Sequence, residues 1–537
     1  MLKKIIALMF VIFIVPSFCL AANYYVKDCS GTNGDGSVQT CGNPTGAWDG
    51  EANINWGSVS GTNTLYVCGT IPGQFDIAAS GTNAANRLTV DGNCPGDAGI
   101  ISGGSSSVNI NNYDYINVQN LEITGGTDGI RTDGTTTYIT FSNLNIHGIT
   151  DDGADFYNYT TAANNIILED STLDGSSGSD VQCHGILISA GAGVIIRRNE
   201  ITAFGTGCSD NGKSHGIYPS SYGPGPDMHP ANHIIEIYEN YIHDNAAHGI
   251  RAGGSINAHH NWISTNGHIS TKGSGISIYF EPGDIDTQDY TWLIWSNIID
   301  NSYKNGIYGD GNYIAGGTKT VRILNNTFYN NATQNYDSTF YTQIYNNGTN
   351  IDVYEVKNNI MQATMANQYC ISLDNIPGGT DIQNNIYYGG RASHHSTNGT
   401  QRTWATWQGY GYDNGGNSFD DVDPLLNNPG SDEFWVQTGS DAINGGDNTL
   451  GAAYDDGLEN ELALSNFPDS VTTVDRDDTN TIGRDIGAYE YGAEETIIKK
   501  IMNYFRRLRG DNGITQDNHP AHKGALAQVQ EHLAQRP

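Results

Sequence analysis

The feature that most restricts the fold of this chain is a short phrase that recurs between about residues 118 and 390. Each copy has a β-branched run, an Asn, a second short run, a polar gap and then Gly-Ile, as in VQNLEITGGTDGI, YENYIHDNAAHGI and WSNIIDNSYKNGI. The period varies between roughly twenty and forty residues, which is the range of solenoid repeats. Each copy holds three very short strands, so we expect them to pair with the strands of the next copy.

Asn recurs at one turn of this repeat. A residue that tolerates the left-handed backbone conformation and hydrogen-bonds to the same turn of the next coil explains the recurrence. The sequence therefore predicts a stack of Asn side chains along one turn, formed by Asn120, Asn143, Asn199, Asn240, Asn261, Asn297, Asn326, Asn359 and Asn385.

The repeat resembles that of the right-handed parallel β-helix superfamily, the pectate-lyase-like proteins, over about residues 23–417. The resemblance implies an all-β solenoid whose Gly-Ile strands form the first sheet and whose strands after Asn form the third. It also implies a substrate cleft on the first sheet, walled by long loops. The segment from DPLLNNPG to GRDIGAYEYG is similar to a closing module found at the C-terminus of such proteins.

Four segments follow from these patterns. Residues 1–21 have the basic start and apolar run of a secretory signal peptide, with cleavage near Ala21 and an extracellular or periplasmic product. The β-helix covers 22–417, and the closing module, a cover for an otherwise open coil end, covers 418–492. Residues 493–537 form a short amphipathic basic helix and a polar tail. No other stretch is long and apolar enough to span a bilayer.

Charge and cysteine content limit the partners and the compartment. The chain has 58 acidic and 25 basic residues, a net charge of −33, so we expect no nucleic-acid partner. We expect a monomer that binds a polysaccharide, with Ca²⁺ at an Asp cluster as the one cofactor to consider. Of the seven cysteines that remain after cleavage of the signal peptide, six fall into sequence-neighbouring pairs that suit disulfides in an oxidising compartment: Cys29 with Cys41, Cys68 with Cys94, and Cys183 with Cys208, which leaves Cys370.

Strand alternation predicts which side chains face outward from the first sheet. In HGIY, Ile217 points into the coil, so Tyr218 points out. The same register in the next copy places Arg251 beside Tyr218 on the adjacent coil. Three His residues that each precede the Gly form a second column at the start of the strand, namely His184, His215 and His248.

These residues favour a polysaccharide lyase, which abstracts the proton next to a uronate carboxyl group and expels the 4-linked oxygen. That reaction needs a base, an acid and a donor for the developing carboxylate dianion. We assign Arg251 to the carboxylate, His215 or Lys272 to the base and Tyr218 to the acid, with His248 beside them. The predicted substrate-binding residues are His184, Tyr222, Asp227, His229, Tyr279, Glu281 and Tyr308.

Three alternatives stay open. A glycoside hydrolase in the same cleft needs two carboxylic acids across the scissile bond. A non-catalytic carbohydrate-binding protein needs neither, and the His column then serves as a ladder of satisfied turn residues. An outward column on the second sheet is another surface for sugar stacking. The hydrolase candidates are Asp152, Asp155, Asp227 and Glu281, and the second-sheet column is Arg197, Tyr238, His259 and Trp295.

Overall fold

The computed structural model of the chain is a right-handed parallel β-helix with three long sheets, which confirms the predicted fold class. The described residues are 21–158, 165–189, 193–220, 234–268, 273–279, 289–310, 317–333, 342–348, 351–376, 379–414 and 418–450, with short segments at 454, 456–459, 464, 467–468, 471–475 and 484–491.

The first sheet contains the Gly-Ile strands: Phe75–Asp76, Ser106–Asn111, Asp128–Gly134, Ala154–Asn158, Ile186–Ile188, Ile217–Pro219, Ile250–Ala252, Ile276–Tyr279, Asn305–Asp310, Thr342–Asn346, Tyr369–Leu373, His395–Thr397 and the antiparallel Thr400–Arg402. The second contains Asn23–Lys27, Trp48–Asp49, Thr64–Cys68, Leu88–Asp91, Ile116–Gln119, Ile139–Ser142, Ile166–Glu169, Ile195–Arg197, Ile235–Tyr238, Ile256–His259, Tyr290–Trp295, Lys319–Leu324, Val353–Lys357 and Thr380–Gln383. The third contains Thr70–Pro72, Ile100–Ser102, Glu122–Thr124, Asn145–His147, Thr172–Asp174, Glu200–Thr202, Tyr241–His243, Trp262–Ser264, Ile298–Asp300, Thr327–Tyr329, Ile360–Ala363, Ile386–Gly389 and Phe419–Asp420.

Identical side chains stack in the coil interior because the strands pair in register. On the first sheet, the Ile of the Gly-Ile phrase pairs with the Ile one coil further on, and the column continues through Ile344 and Ile371, which follow Gln343 and Cys370 instead of Gly, over seven coils. All members are buried: Ile186, Ile217, Ile250, Ile276, Ile307, Ile344 and Ile371. Burial of a large aliphatic side chain contributes roughly 1.5–3 kcal/mol, so this column is a main source of coil-to-coil stability.

The Gly of the phrase is required by close contact between coils. A Cβ atom on Gly216 would lie 2.6 Å from the carbonyl oxygen of Gly249, and one on Gly185 would lie 2.4 Å from that of Gly216. Such distances are too short for any side chain. The Gly therefore allows successive turns to approach where the chain enters the first sheet.

The predicted Asn stack is present, with one difference in register. From Asn199 to Asn385, each Asn is fully buried, and its side-chain oxygen accepts hydrogen bonds from the backbone and side-chain nitrogens of the preceding one. The left-handed residue is the one before it, such as Arg198 at φ 54°. Asn120 and Asn143 are themselves left-handed, so they occupy that preceding position and lie outside the stack. The sequence pattern had merged two adjacent turn positions.

Two short helices cover the ends of the coil. Helix Trp56–Val59 buries Val59 at the N-terminal end. At the other end, Thr403 caps helix Trp404–Gly409 by accepting a hydrogen bond from the Thr406 amide, and Trp407 is fully buried. The indole nitrogen of Trp407 donates to Asp413, 2.8 Å away. The coil end is thus closed by this helix.

The C-terminal module packs along the side of the coil. It contains the strands Leu426–Asn428, Glu433–Val436, Asp456–Glu459, Thr473–Asp475 and Tyr489–Glu490. Phe434 and Tyr489 share a buried cluster with Trp262 and Ile298 of the third sheet. The sequence interpretation had placed this module over the coil end, but the described contacts are lateral, because the outer face of the third sheet is apolar there.

Three disulfides join the pairs predicted from sequence order, Cys29–Cys41, Cys68–Cys94 and Cys183–Cys208, and Cys370 is a buried free thiol. Within the described ranges, no helix is both long and apolar enough to span a membrane. The predicted signal peptide and the amphipathic helix after residue 493 lie outside the described residues.

We expect Asn297→Ala to lower the thermal midpoint clearly. The Asn297 side chain accepts from two Asn261 nitrogens and donates to the Ala258 carbonyl. Each buried group left without a partner costs roughly 1–3 kcal/mol. Asn145→Ala, at an exposed position on the third sheet, is the control and should change stability by less than about 0.5 kcal/mol. Equal midpoints for the two variants would show that the stack contributes little.

Candidate functional site

Tyr218 and Arg251 lie side by side on the outer face of the first sheet. Ile217 pairs with Ile250, so the next residues of the two strands are neighbours, as the alternation predicted. The Arg251 Cζ atom lies 4.9 Å from the centre of the Tyr218 ring. A cation over an aromatic face is attracted by the ring quadrupole, which holds the two side chains together. Tyr218 is only 8% exposed, although it lies outside the apolar interior.

The three His residues form a hydrogen-bonded ladder beside this pair. The backbone N–H of His215 donates to Nδ1 of His184 at 3.2 Å, and that of His248 donates to Nδ1 of His215 at 3.2 Å. The ladder begins at Asp152, which accepts from the His184 amide, and ends at the Ser274 amide, which donates to His248. Neighbouring rings are stacked with centres 5.1–5.3 Å apart.

This ladder fixes the protonation of the imidazoles. Because Nδ1 of each ring accepts a backbone hydrogen bond, it carries no proton, and a neutral ring holds its proton on Nε2. Burial, together with the charge of Arg251, lowers the pKa of His184 and of His248 to about 3. Burial also lowers the pKa of His215 far below its ordinary value. The three rings are therefore neutral, and their Nε2–H edges are donors.

Two donors converge between His215 and Arg251. Nη1 of Arg251 lies 3.3 Å from Nε2 of His215. The Nη1–H group of Arg251 points at Nε2, so the direct contact needs Nε2 to accept, whereas the ladder places a proton on that nitrogen. With that proton present, the two N–H groups need an acceptor between them. An acceptor that reaches both groups at once, such as a carboxylate oxygen, suits this arrangement.

A group of carboxylates lies on the same sheet two and three coils toward the N-terminus. Asp128, Asp151 and Asp152 each place one oxygen within 4.8 Å of the others. Asp155 lies on the same coil as Asp152 and faces outward from the first sheet. It is 6% exposed, and its Oδ1 accepts no hydrogen bond. The other Asp155 oxygen, Oδ2, lies 3.2 Å from a guanidinium nitrogen of Arg131. One basic side chain thus faces several acidic ones.

This acidic group has the properties of a hard-cation site. Burial and mutual repulsion raise the pKa of Asp155 to about 7 and raise that of Asp152 well above its ordinary value. Such shifts mean that burial disfavours the ionised carboxylates, and for Asp155 the Arg131 guanidinium offsets only part of this cost. The three converging carboxylate oxygens fit Ca²⁺, which binds six to eight oxygen ligands. Asp128, Asp151 and Asp152 are the residues that could hold it.

The structure brings together five of the predicted site residues and leaves the rest apart or undescribed. His184, His215, His248, Tyr218 and Arg251 form one connected cluster in which His215 contacts each of the other four. Tyr308 lies two coils beyond Arg251 in the same column and stacks on Tyr345 at 5.5 Å. Lys272, Tyr222, Asp227, His229 and Glu281 lie outside the described residues, and Tyr279 has only its backbone described.

Sequence analysis missed three residues of this face. Asp128 precedes Gly129 as Asp152 precedes Gly153, so extending the His column by one more coil would have found it. Asp151 and Arg131 carried no such signal, because only the stacking of coils shows their proximity to Asp152 and Asp155. Lys304 is a further basic neighbour that lowers the pKa of His248, and its Nζ lies 4.8 Å from the centre of the Tyr308 ring.

The second-sheet column does not offer a sugar platform. The rings of Tyr238 and His259 stack at 4.9 Å, and those of His259 and Trp295 stack at 4.5 Å. Their faces therefore cover one another, and Trp295 is further covered by Tyr454 of the C-terminal module. We interpret this column as a structural stack and place the candidate site on the first sheet.

Comparison with known proteins gives structural neighbours only. No protein-family model matches the chain, and no curated protein matches it in sequence. The chain is similar to a crystal structure of the pectate lyase Pel9A, at 14% identity and a TM-score of 0.45, with 87% of this chain and 96% of that chain covered. It is also similar to an alginate lyase from Paenibacillus, at 15% identity and a TM-score of 0.28, with 64% of this chain and 93% of that chain covered. A third neighbour is the mannuronan C-5 epimerase AlgE4 A-module from Azotobacter vinelandii, at 16% identity and a TM-score of 0.34, with 70% of this chain and 99% of that chain covered. At such low identities and scores, these neighbours assign neither a reaction nor a substrate to this chain.

We expect the ladder imidazoles to stay neutral with the proton on Nε2 between pH 8 and pH 5. Nitrogen-15 NMR of His-labelled protein measures this, because protonated and unprotonated ring nitrogens have distinct shifts. An ordinary His titrates near pH 6.5 and is the internal reference for comparison. Titration of His215 in this range would contradict the hydrogen-bonded ladder.

We also expect millimolar Ca²⁺ to raise the thermal midpoint, since a ligand that binds only the folded state stabilises it by mass action. Asp152→Asn should remove most of this increase, whereas Asp174→Asn on the third sheet should preserve it. Calorimetry with Ca²⁺ and with Mg²⁺ checks the effect. An unchanged increase in Asp152→Asn would rule out this acidic group as the binding site.

Proposed function

We propose that the protein is a secreted polysaccharide lyase that cleaves a uronate-containing polysaccharide by β-elimination on the first-sheet face. The observation that carries this proposal is the convergence of two donors, Nη1 of Arg251 and Nε2 of His215, 3.3 Å apart beside the Tyr218 ring. The three disulfides fit a protein that works in an oxidising compartment.

The reaction moves one proton from carbon to a base and one from an acid to oxygen. A base takes the proton from the carbon next to the uronate carboxyl group. The freed electron pair forms a carbon–carbon double bond, and the bond to the 4-linked oxygen breaks. The leaving oxygen then takes a proton. The carboxyl group gathers negative charge before the bond breaks, so donors aimed at it lower the barrier.

The residues of this site supply the donors and the acid. Arg251 and the Nε2–H of His215 both donate to the carboxyl group, in a water-poor setting where such contacts are strong. The Tyr218 hydroxyl makes no hydrogen bond to any described residue, so it is available to protonate the leaving oxygen. His215 is then a donor rather than a base, because its Nδ1 lone pair is used by the His248 amide. Lys272 remains the base predicted from sequence, and it lies outside the described residues.

Bound Ca²⁺ would act as an electrophile for a second carboxylate of the substrate. Asp128, Asp151 and Asp152 would hold it two to three coils before Tyr218. Successive coils are about 4.8 Å apart, so this site and the donor pair are separated by roughly 10–15 Å along one face. At this separation, the two sites bind different sugar units of one polymer and not the same sugar unit.

Local charge supports binding of an acidic polymer to an acidic protein. The net charge of −33 repels a polyuronate at long range. Arg251 and Lys304 supply positive charge near the His ladder, as their effect in lowering the pKa of His248 indicates. Within roughly a Debye length of this patch, about 8–10 Å in physiological salt, these two charges attract a uronate carboxylate.

A glycoside hydrolase is the second candidate, and one observation favours it. Burial raises the pKa of Asp155 to about 7, which keeps a proton available near neutral pH, as a general acid requires. A hydrolase would cleave with reducing ends but without an unsaturated product. The same assay therefore separates the two reactions.

We expect Arg251→Ala to lower kcat for lyase cleavage by about 10²–10³-fold, the usual effect of losing one donor to a developing oxyanion. Ultraviolet absorbance of the unsaturated product, with pectate, alginate and glycosaminoglycans as substrates, measures it. Arg198→Ala, which removes a surface Arg paired with Asp170, is the matched control and should keep full activity.

Full activity of Arg251→Ala would remove the donor pair from the mechanism. Reducing ends without absorbance in the wild-type protein would favour hydrolysis. Neither signal on any of these polymers would favour a carbohydrate-binding protein.

A further inference from the structure

Toward the N-terminus, the first-sheet face forms an open recess of about 600 Å³, and the acidic group Asp128, Asp151 and Asp152 is part of its lining. Three consecutive strands line it, Ser106–Asn111, Asp128–Gly134 and Ala154–Asn158, and Leu187 closes it on the side of the candidate site. The pairing of Asn109 with Arg131, Arg131 with Asp155 and Asp155 with Leu187 places the recess in the same column as Tyr218. The recess and the Tyr218–Arg251 pair are thus parts of one surface.

The recess differs from the candidate site because acceptors dominate its lining. The Asn109 amide nitrogen donates to Asp76 at 2.8 Å, which fixes the amide and leaves its oxygen without a described donor. The Gln74 amide nitrogen is likewise fixed by Asp76, at 2.7 Å, but its oxygen already accepts from the Ser105 hydroxyl. Asn111 is exposed at the end of the same strand. Carboxylates and fixed amide oxygens accept hydrogen bonds from the hydroxyl groups of sugars.

Arg131 keeps the carboxylates of the recess in place. Its guanidinium lies 3.2 Å from Asp155, 3.7 Å from Asp133 and 3.8 Å from Asp128. Asp155 is more than nine-tenths buried, lines the recess and has an oxygen, Oδ1, without a hydrogen-bond donor. A buried acceptor in this state gains most from a ligand that brings donors.

We propose that this recess is a second binding region of the same cleft, which takes hydroxyl-bearing sugar units two to four coils before Tyr218. The proposal rests on the lyase function proposed above and adds that two parts of the cleft recognise different groups of the substrate. Donors around Arg251 recognise a carboxylate, and acceptors around Asn109 recognise hydroxyl groups. A chain that reaches both regions spans roughly 10–19 Å beyond Tyr218, so a short oligosaccharide bound at Arg251 does not contact the recess.

The double substitution Asn109→Ala with Asn111→Ala tests the recess without touching the candidate metal ligands. We expect kcat/KM on the polymer to fall about tenfold, mainly through a higher KM, with no change on the shortest cleavable oligosaccharide. Asn117→Ala is the matched control, because Asn117 lies on the second-sheet face one strand further along the chain. Thermal midpoints of both variants verify that they are folded.

If the double variant cleaves the polymer with wild-type kinetics, the recess is not a binding region. A loss of activity in Arg251→Ala would still support the lyase function in that case. An equal loss on long and short substrates would also overturn it, since the recess contacts only long chains. If no lyase product forms with any polymer, affinity electrophoresis in gels containing pectate or alginate makes the same comparison. If the polymer slows the migration of the wild-type protein and the control but not of the double variant, the recess binds the polymer. Equal slowing of the double variant and the control refutes binding in the recess.

Discussion

The parallel pairing of each coil with the next, in fixed register, is the interaction on which the rest of this structure depends. It repeats each side chain at intervals of about 4.8 Å, so that like residues stack on like. The same register produces the buried Ile column, the buried Asn stack and the His ladder. It also turns a one-dimensional sequence repeat into columns of neighbouring functional groups.

This stacking gives polar residues opposite roles in the interior and on the surface. Inside the turn, the side-chain oxygen of Asn261 accepts from the backbone and side-chain nitrogens of Asn240, which contributes to stability. His184 and His215 use the same pattern at the start of the first sheet, but only one ring nitrogen takes part. The other nitrogen keeps its proton and faces Arg251. In these imidazoles, Nδ1 therefore serves the structural ladder, and Nε2 forms the candidate binding edge.

Sequence reasoning predicted the fold and the central pair because both follow from period and alternation. Ile217 and Tyr218 point to opposite sides for that reason, and Arg251 follows one coil later. The lateral position of the C-terminal module was not predictable in this way. It depends on an apolar outer face, formed by Trp262 and Ile298 from separate coils. The recess around Asn109 and Arg131 likewise needs three coils to be stacked before it exists.

The sequence by itself determined the solenoid and the column that holds Tyr218 and Arg251, because a strict two-residue alternation and a recurring Gly-Ile leave one consistent register. It also determined the cysteine pairs, which join neighbours in sequence order. Only the tertiary structure decided the protonation of the imidazoles and the grouping of Asp128 with Asp151 and Asp152. Those properties depend on distances between atoms on different coils and on exclusion of water. Neither quantity is contained in the order of residues along one repeat.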